Sequence, residues 1–377
     1  MSANHKFDLA IVGGGLAGLS LSIQLARVGW QVVLFEKEFY PFHKVCGEYI
    51  SMESRKFLTG LGLPLDDWKL PVIERLVVSS PNGESIRASL PLGGFGISRY
   101  KLDAALADIA RMAGVTLLEH TKVHDVYWED GRHRIQTTAG IFTAAVTAAC
   151  FGKKSNLDVK WKRPFIQDDR ATNYVGVKYH VLADLPESEI GLHNFPGGYC
   201  GISKIEGNRY CLCYLTKSEN LKNNRQSVSD MEKNILKQNP VLEKILNEMT
   251  ILSEEPVTIA QINFSKKSQV ENHVFCIGDA AGMITPLCGN GMSMALHGSK
   301  IAAESIAHFL SGQITRPELE KSYQKNWNRL FARRLRTGRI IQQFFGKKRM
   351  SVILIRILKP FPFLVRALIR QTHGKPF

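Results

Sequence analysis

The chain of 377 residues has no apolar run approaching the ~20 residues of a membrane-spanning helix, so no segment is expected to cross a bilayer. Its seven cysteines are an odd number without a CxxC pair, which argues against a disulfide framework or a dithiol motif. No His, Cys or Asp cluster has metal-ligand spacing, and neither G-x-S-x-G nor a Ser/His/Asp arrangement is visible. Internal repeats and low-complexity segments are missing too. No signal-peptide pattern precedes Phe7, which runs straight into an apolar strand. These absences predict a reduced, cytoplasmic protein. One shortage is local: from Lys321 to Phe377 there is no Asp or Glu against fifteen Lys or Arg, so this tail accounts for the whole net charge of +15. A tail of that kind suits nucleic acid, an anionic membrane or an acidic partner.

What is present begins with "FDLAIVGGGLAGLSLSIQLARVGWQVVLFEK", a strand, a glycine turn, a helix and a second strand. This is a βαβ unit, the context in which G-x-G-x-x-G predicts a dinucleotide site. Gly13, Gly14, Gly15, Leu16, Ala17 and Gly18 form the turn and helix start. Gly13 serves the tight turn, Gly15 lets a pyrophosphate approach, and Gly18 lets helix and strand pack closely. The phosphates are expected at the helix N-terminus, where free N–H groups and the dipole favour an anion. Glu36, at the end of the second strand, sits where a carboxylate grips ribose hydroxyls.

The alternation of strand and helix then stops. "VIERLVVSSPNGESIRASLPL" reads as a hairpin with "PNG" as its turn, and mixed strands continue to about residue 215. A helix-rich stretch at 226–249 follows. A late strand, "HVFCIGDAAG", enters a second glycine-rich loop, and "NGMSMALHGSKIAAESIAHFL" after it is helical.

An early G-x-G-x-x-G with Glu36, joined to a late "GDAAGMITPLCGNGMSMALHGSKIAAE", resembles the FAD-binding pattern of the para-hydroxybenzoate hydroxylase fold. Within it, that segment and "KVCGEYIS" at 44–51 are most similar to the geranylgeranyl reductase-like branch. The resemblance covers roughly residues 7–310 and implies a two-lobed α/β (α+β) protein: a Rossmann-like FAD-binding domain, an antiparallel-sheet substrate domain and a helical C-terminal tail. The expected division is 1–75, 98–158 and 256–320 for FAD, 76–97 and 159–255 for substrate, and 321–377 as a basic amphipathic tail.

The resemblance also implies roles. FAD is too long for one loop, so Asp279 would hold the ribityl hydroxyls. Pro286 would shape the loop, and Gly289, Asn290, Gly291 and Met292 would aim backbone N–H groups and a helix N-terminus at the N1–O2 edge of the flavin, where such donors favour the reduced form. Asp279 as a helix cap is the competing reading. Arg99 matches an arginine near the cofactor phosphates, or else starts a helix in solvent. Val123 falls where backbone groups meet adenine. Cys46 and Glu48 lie in the loop beside the flavin: Cys46 as proton donor or redox thiol, Glu48 as a carboxyl whose pKa burial raises, so that it moves a proton. Their plain alternatives are a small buried residue and a salt-bridged loop residue.

Two departures bear on the reaction. The hydroxylase pattern A-D-G-x-x-S-x-x-R becomes "CFGKKSNLD", with Phe151 for Asp and Asp158 for Arg, which leaves NADH and NADPH as candidate donors. Gly282 stands where hydroxylases tend to carry His after "GDAA", and the halogenase signature W-x-W-x-I-P is absent. "GLHNFPGGYCG" at 191–201 resembles a reductase-branch segment whose glycines would let an apolar chain lie on the sheet, or is an ordinary turn. The expected activity is reduction of a carbon–carbon double bond in a lipophilic substrate. The alternative is hydroxylation of an aromatic or polyketide-like compound. The tail mixes Ile, Leu and Phe with Lys and Arg at helical spacing, which suits peripheral attachment to the inner membrane surface or packing on the protein. Nucleic-acid binding is the distant alternative, since the tail's aromatics sit among aliphatics and no recognised motif is present.

Overall fold

The computed structural model describes residues 5–166, 173–262 and 264–377. Its first sheet has eight strands. The parallel centre runs Val274–Cys276, Gly140–Ala149, His5–Val12, Val32–Phe35 and Thr116–Leu118, in that order. His5–Val12, flanked on both sides, is buried from Leu9 to Val12, as its unbroken apolar run requires. Helix Leu16–Arg27 starts at Gly15 and packs on helix Gly291–Leu310, where the hydroxyls of Ser20 and Ser299 meet at 2.6 Å. Small residues allow that close approach, so the two glycine loops preceding these helices are neighbours.

The second sheet has nine strands and is mostly antiparallel. The expected hairpin forms from Val72–Ser79 and Ser85–Gly96, and Tyr174–Leu182, Tyr210–Lys217, Gly198–Lys204 and Glu189–Phe195 extend the sheet. Three stretches expected beside the dinucleotide unit are strands here: Tyr49–Ser51, the start of Val72–Ser79, and Val257–Ile262. The pairing partner decided this, and a short apolar strand does not name its partner in sequence.

The tail folds as helices Arg316–Gln342, Lys348–Leu358 and Pro362–Thr372. The long helix buries Tyr323, Trp327, Phe331 and Leu335 against the first lobe. The final residues return to the core: Asn290 Nδ2 donates to Thr372 O at 2.9 Å, and the Phe377 ring stacks on His297 at 4.1 Å. No described helix is long and apolar enough to cross a membrane.

Candidate active site

The phosphate turn is built as its sequence demands. Gly13 has φ +103°, a left-handed conformation that a side chain resists, and a Cβ there would meet Cys150 O at 2.7 Å. A Cβ on Gly18 would run into the Gly13 carbonyl, so this glycine serves packing. Gly15 differs. A Cβ there meets nothing nearer than Arg99 Nη2 at 3.6 Å and Lys44 Nζ at 3.9 Å. Room, positive charge and a helix N-terminus therefore coincide, and the turn fits a pyrophosphate.

Glu36 is buried, and its carboxylate accepts from Gly14 N at 2.9 Å and Lys37 N at 2.8 Å. That fixes the acid at the strand end beside the turn. Val123 opens the strand Val123–Glu129, two residues beyond Thr121, whose N–H donates to Glu36 O at 2.8 Å. Arg99 is not in solvent. Ser98 caps its helix, and the guanidinium grips Asp103 through Nε at 2.7 Å and Nη2 at 2.6 Å.

The second loop faces the same cleft. A pocket of about 210 Å³ is lined by Gly15, Leu16 and Ala17 from the first loop and by Asp279, Pro286 and Gly289 through Met292 from the second. Asp279 lies in a 3₁₀ turn just past the strand Val274–Cys276, whereas the long helix begins at Gly291 with Asn290 at its cap position. The helix-cap reading of Asp279 therefore fails. Gly289 has φ +63°, and a Cβ there would press on the Tyr49 ring at 3.2 Å. Glycine is required by both backbone and neighbour.

Cys46, half-buried, and Glu48 line this pocket too. Glu48 departs from expectation. It is fully buried, with φ 54°, and its carboxylate bonds the Lys178 ammonium, His180 Nε2 at 2.6 Å and the backbone N–H of Arg99 at 2.8 Å. Burial pushes its pKa up, but the His180 hydrogen bond and the Lys178 charge outweigh that and hold it below the ordinary carboxylate range. A carboxylate so held ties the loop to strand Tyr174–Leu182; it is not a proton donor tuned upward. Glu48, His180 and Cys211 present ligand atoms within 4.8 Å of one another. A metal there would have to displace Lys178 from Glu48, and burial keeps the Cys211 thiol protonated.

Lys178 and His180 are neighbours of the candidate site that sequence reading missed. Their signal was a Lys and a His two apart, hence on one face, in an otherwise apolar strand. Other expectations resolve in detail. Asp158 pairs with the fully buried Arg163 at 2.8 Å, and Arg163 Nη2 donates to Ala280 O at 3.1 Å, so an arginine five positions along supports the Asp279 turn. At Gly282, a Cβ would lie 2.9 Å from Trp327; the tail occupies the space a histidine would need. In "GLHNFPGGYCG", Gly197 and Gly198 make the turn and close packing, and of the segment's glycines Gly201 alone borders the pocket, beside Leu192 and Tyr199.

Two glycine loops closing on one cleft, one with an acid at the strand end and the other with Asp279 and a helix N-terminus, define a site for a long two-part dinucleotide, the hallmark of FAD-dependent oxidoreductases. The chain belongs to the family described as FAD binding domain, whose model matches residues 6–336. Among relatives, it is 25% identical to digeranylgeranylglycerophospholipid reductase 2 of Methanopyrus kandleri, over 87% of this chain and 84% of that protein. It is 23% identical to conditioned medium factor receptor 1 of Dictyostelium discoideum, over 96% of this chain and 72% of that one. Among solved structures, a geranylgeranyl bacteriochlorophyll reductase-like protein from Thermoplasma acidophilum superposes with TM-score 0.80 at 18% identity, covering 100% of this chain and 97% of that one. A flavin-dependent brominase gives TM-score 0.78 at 18% identity, covering 97% and 93%. The protein is an FAD-dependent oxidoreductase.

Proposed function

We propose that the protein reduces a carbon–carbon double bond in a lipophilic, polyprenyl-type substrate drawn from an anionic membrane surface. The observation that carries this reading is the apolar wall opposite the flavin loop: Ile190, Leu192, Tyr199, Ile202 and Leu215 share one pocket with Asp279 and Gly289. The similarity to reductases named for geranylgeranyl lipids supports it.

Gly13–Gly18, Glu36 and Arg99 would hold FAD at one end and Asp279 and Gly289–Met292 at the other, and the cofactor when bound would supply hydride chemistry, with NADH or NADPH as the candidate donor. Saturation of the double bond also takes a proton. The Cys46 thiol, on the wall of the same pocket, supplies it from Sγ and regains it from solvent. Glu48 holds the Cys46 loop in place through Lys178 and His180. The buried walls keep water from the reacting carbons.

The tail supports a membrane source. Met350, Ile353 and Ile357 lie exposed along one face of helix Lys348–Leu358, and Phe361 and Phe363 continue the patch. Lys348, Arg349 and Lys359 flank it, while Arg356 is paired with Glu84. Each cation near anionic lipid contributes about 1 kcal/mol. The test is to reduce the holoprotein without oxygen, using NADH, NADPH or dithionite, and add a prenyl or a phenolic compound. A prenyl product heavier by two hydrogens, formed before oxygen enters, is the expected result. Turnover only of the phenolic compound, and only after oxygen is admitted, would establish hydroxylation instead.

A further inference from the structure

We propose that a second apolar chamber, roofed by the two C-terminal helices and entered past Tyr49, holds the distal end of the substrate chain and sets the chain length the enzyme prefers. This rests on the lipophilic-substrate reading and adds to it a second site on the opposite side of the flavin loop.

The chamber has a volume of about 130 Å³. Val78 and Ile86 of the second sheet form its floor, and Leu354, Leu358, Val365 and Ile369 of the helices form its roof. Its polar lining is mostly engaged elsewhere: Asn194 Nδ2 donates to Ser79 O, Ser351 Oγ to Phe344 O and Thr372 Oγ1 to Ile369 O. His373 Nε2 and the Tyr49 hydroxyl are the lining atoms left without partners among the described residues. A polar ligand would find few groups to bind, while a hydrocarbon would find an apolar wall. Apolar cavities of roughly 150 Å³ stay dry and accept a six-carbon ring, so this chamber suits about one isoprene unit.

Continuity names the occupant. The chamber and the flavin-side pocket share Tyr49, Ile190, Leu192, Pro286 and Gly289 as lining. Pro286 and Gly289 belong to the loop expected against the flavin, so a chain end in the chamber leaves the preceding carbons beside the redox centre. Tyr49 stands at the junction, its ring backed by Gly94 and Gly289, where added Cβ atoms would crowd it. Helix Lys348–Leu358 also carries apolar residues on two sides: Leu354 and Leu358 face the chamber, and Ile353 and Ile357 lie exposed. The chamber is thus one helix away from the patch assigned to the bilayer.

Val365→Phe should fill the chamber and Val365→Ala enlarge it. The measurement is kcat/KM of the FAD-loaded, full-length enzyme for geranylgeraniol against geraniol, with equilibrium binding of both alcohols followed by tryptophan fluorescence. Val365→Phe is expected to lower the preference for the longer alcohol at least tenfold, and Val365→Ala to raise it. A wild-type preference retained in Val365→Phe would overturn the proposal, as would Val365→Ala lowering it tenfold. If neither alcohol turns over but the longer binds more tightly and loses that advantage in Val365→Phe, the chamber stands and the reductase reading falls. If both turn over with Val365 variants alike in chain-length preference, the reading stands and the chamber falls. Should Val365→Phe not fold, Val365→Ala and Tyr49→Phe, which removes the unpartnered hydroxyl at the throat, keep the test open: an unaltered preference in both refutes the chamber's role.

Discussion

At the scale of single residues, Glu48 and Cys46 are neighbouring positions in one loop for which different tasks are proposed. Glu48 is a buried anion whose partners are another buried charge, a histidine and a backbone N–H. Glu48→Gln would leave the Lys178 ammonium without its counter-charge, and is expected to cost about 3–5 kcal/mol in urea denaturation. Because its folded pKa is depressed, the stability Glu48 contributes is present above about pH 4.5 and drains away as pH falls below that. Histidine adds an earlier acid window. Burial lowers the His193 pKa from 6.5 to about 4 while its Nδ1 sits 2.9 Å from Ser79 Oγ. The unfolded chain binds this proton first, so stability should fall between pH 6.5 and 4, by up to about 3 kcal/mol from this group. Urea midpoints that stay level across that range would contradict the assignment. Cys46→Ala should cut turnover about a hundredfold with FAD still bound, and an undiminished rate would remove the thiol from the reaction.

At the scale of elements, the glycine loops were legible in sequence because backbone demands on glycine are local. A turn at positive φ, a close helix–strand approach and an opening for phosphate each impose a residue at a fixed spacing, and Gly13, Gly18 and Gly15 serve them one by one. The electrostatic partners of the Cys46 loop were not legible, because Lys178 and His180 reach Glu48 from a strand 130 residues away. Only the folding of the second sheet, which holds both Tyr49–Ser51 and Tyr174–Leu182, brings them together. For the same reason the short strands Tyr49–Ser51 and Val257–Ile262 revealed their sheet only through their partners. The local reading of the glycines has a sharp consequence. Gly15→Val, at a backbone conformation of φ −86° that any residue adopts, should fold with ordinary stability yet lose FAD. Gly18→Val should fail to fold, since its Cβ and the Gly13 carbonyl compete for one space. Thermal melts with and without FAD distinguish the two, and equal behaviour would undo the division between ligand and packing glycines.

At the scale of the whole molecule, the basic tail is both a structural cover and an outward surface. Trp327 and Phe331 are buried in the first lobe, while Ile353, Ile357 and Phe363 stay more than half exposed at 52%, 55% and 59%. Packing and membrane docking, alternatives in sequence, are compatible in three dimensions because they use different faces. Sedimentation with vesicles containing phosphatidylserine should be strong at low salt and weaken in Ile353→Glu/Ile357→Glu; binding indifferent to both salt and those substitutions would remove the membrane source. Beneath all of this lies the proposal that one ligand is gripped at two ends. Equilibrium FAD binding to the wild type, Gly15→Val and Asp279→Ala tests that grip most directly. The expected result is one FAD per chain for the wild type and at least a tenfold loss of affinity in each variant, although their substitutions lie in loops more than 260 positions apart. A wild type that takes up no FAD, or variants at either end that bind it as tightly as the wild type, would contradict it.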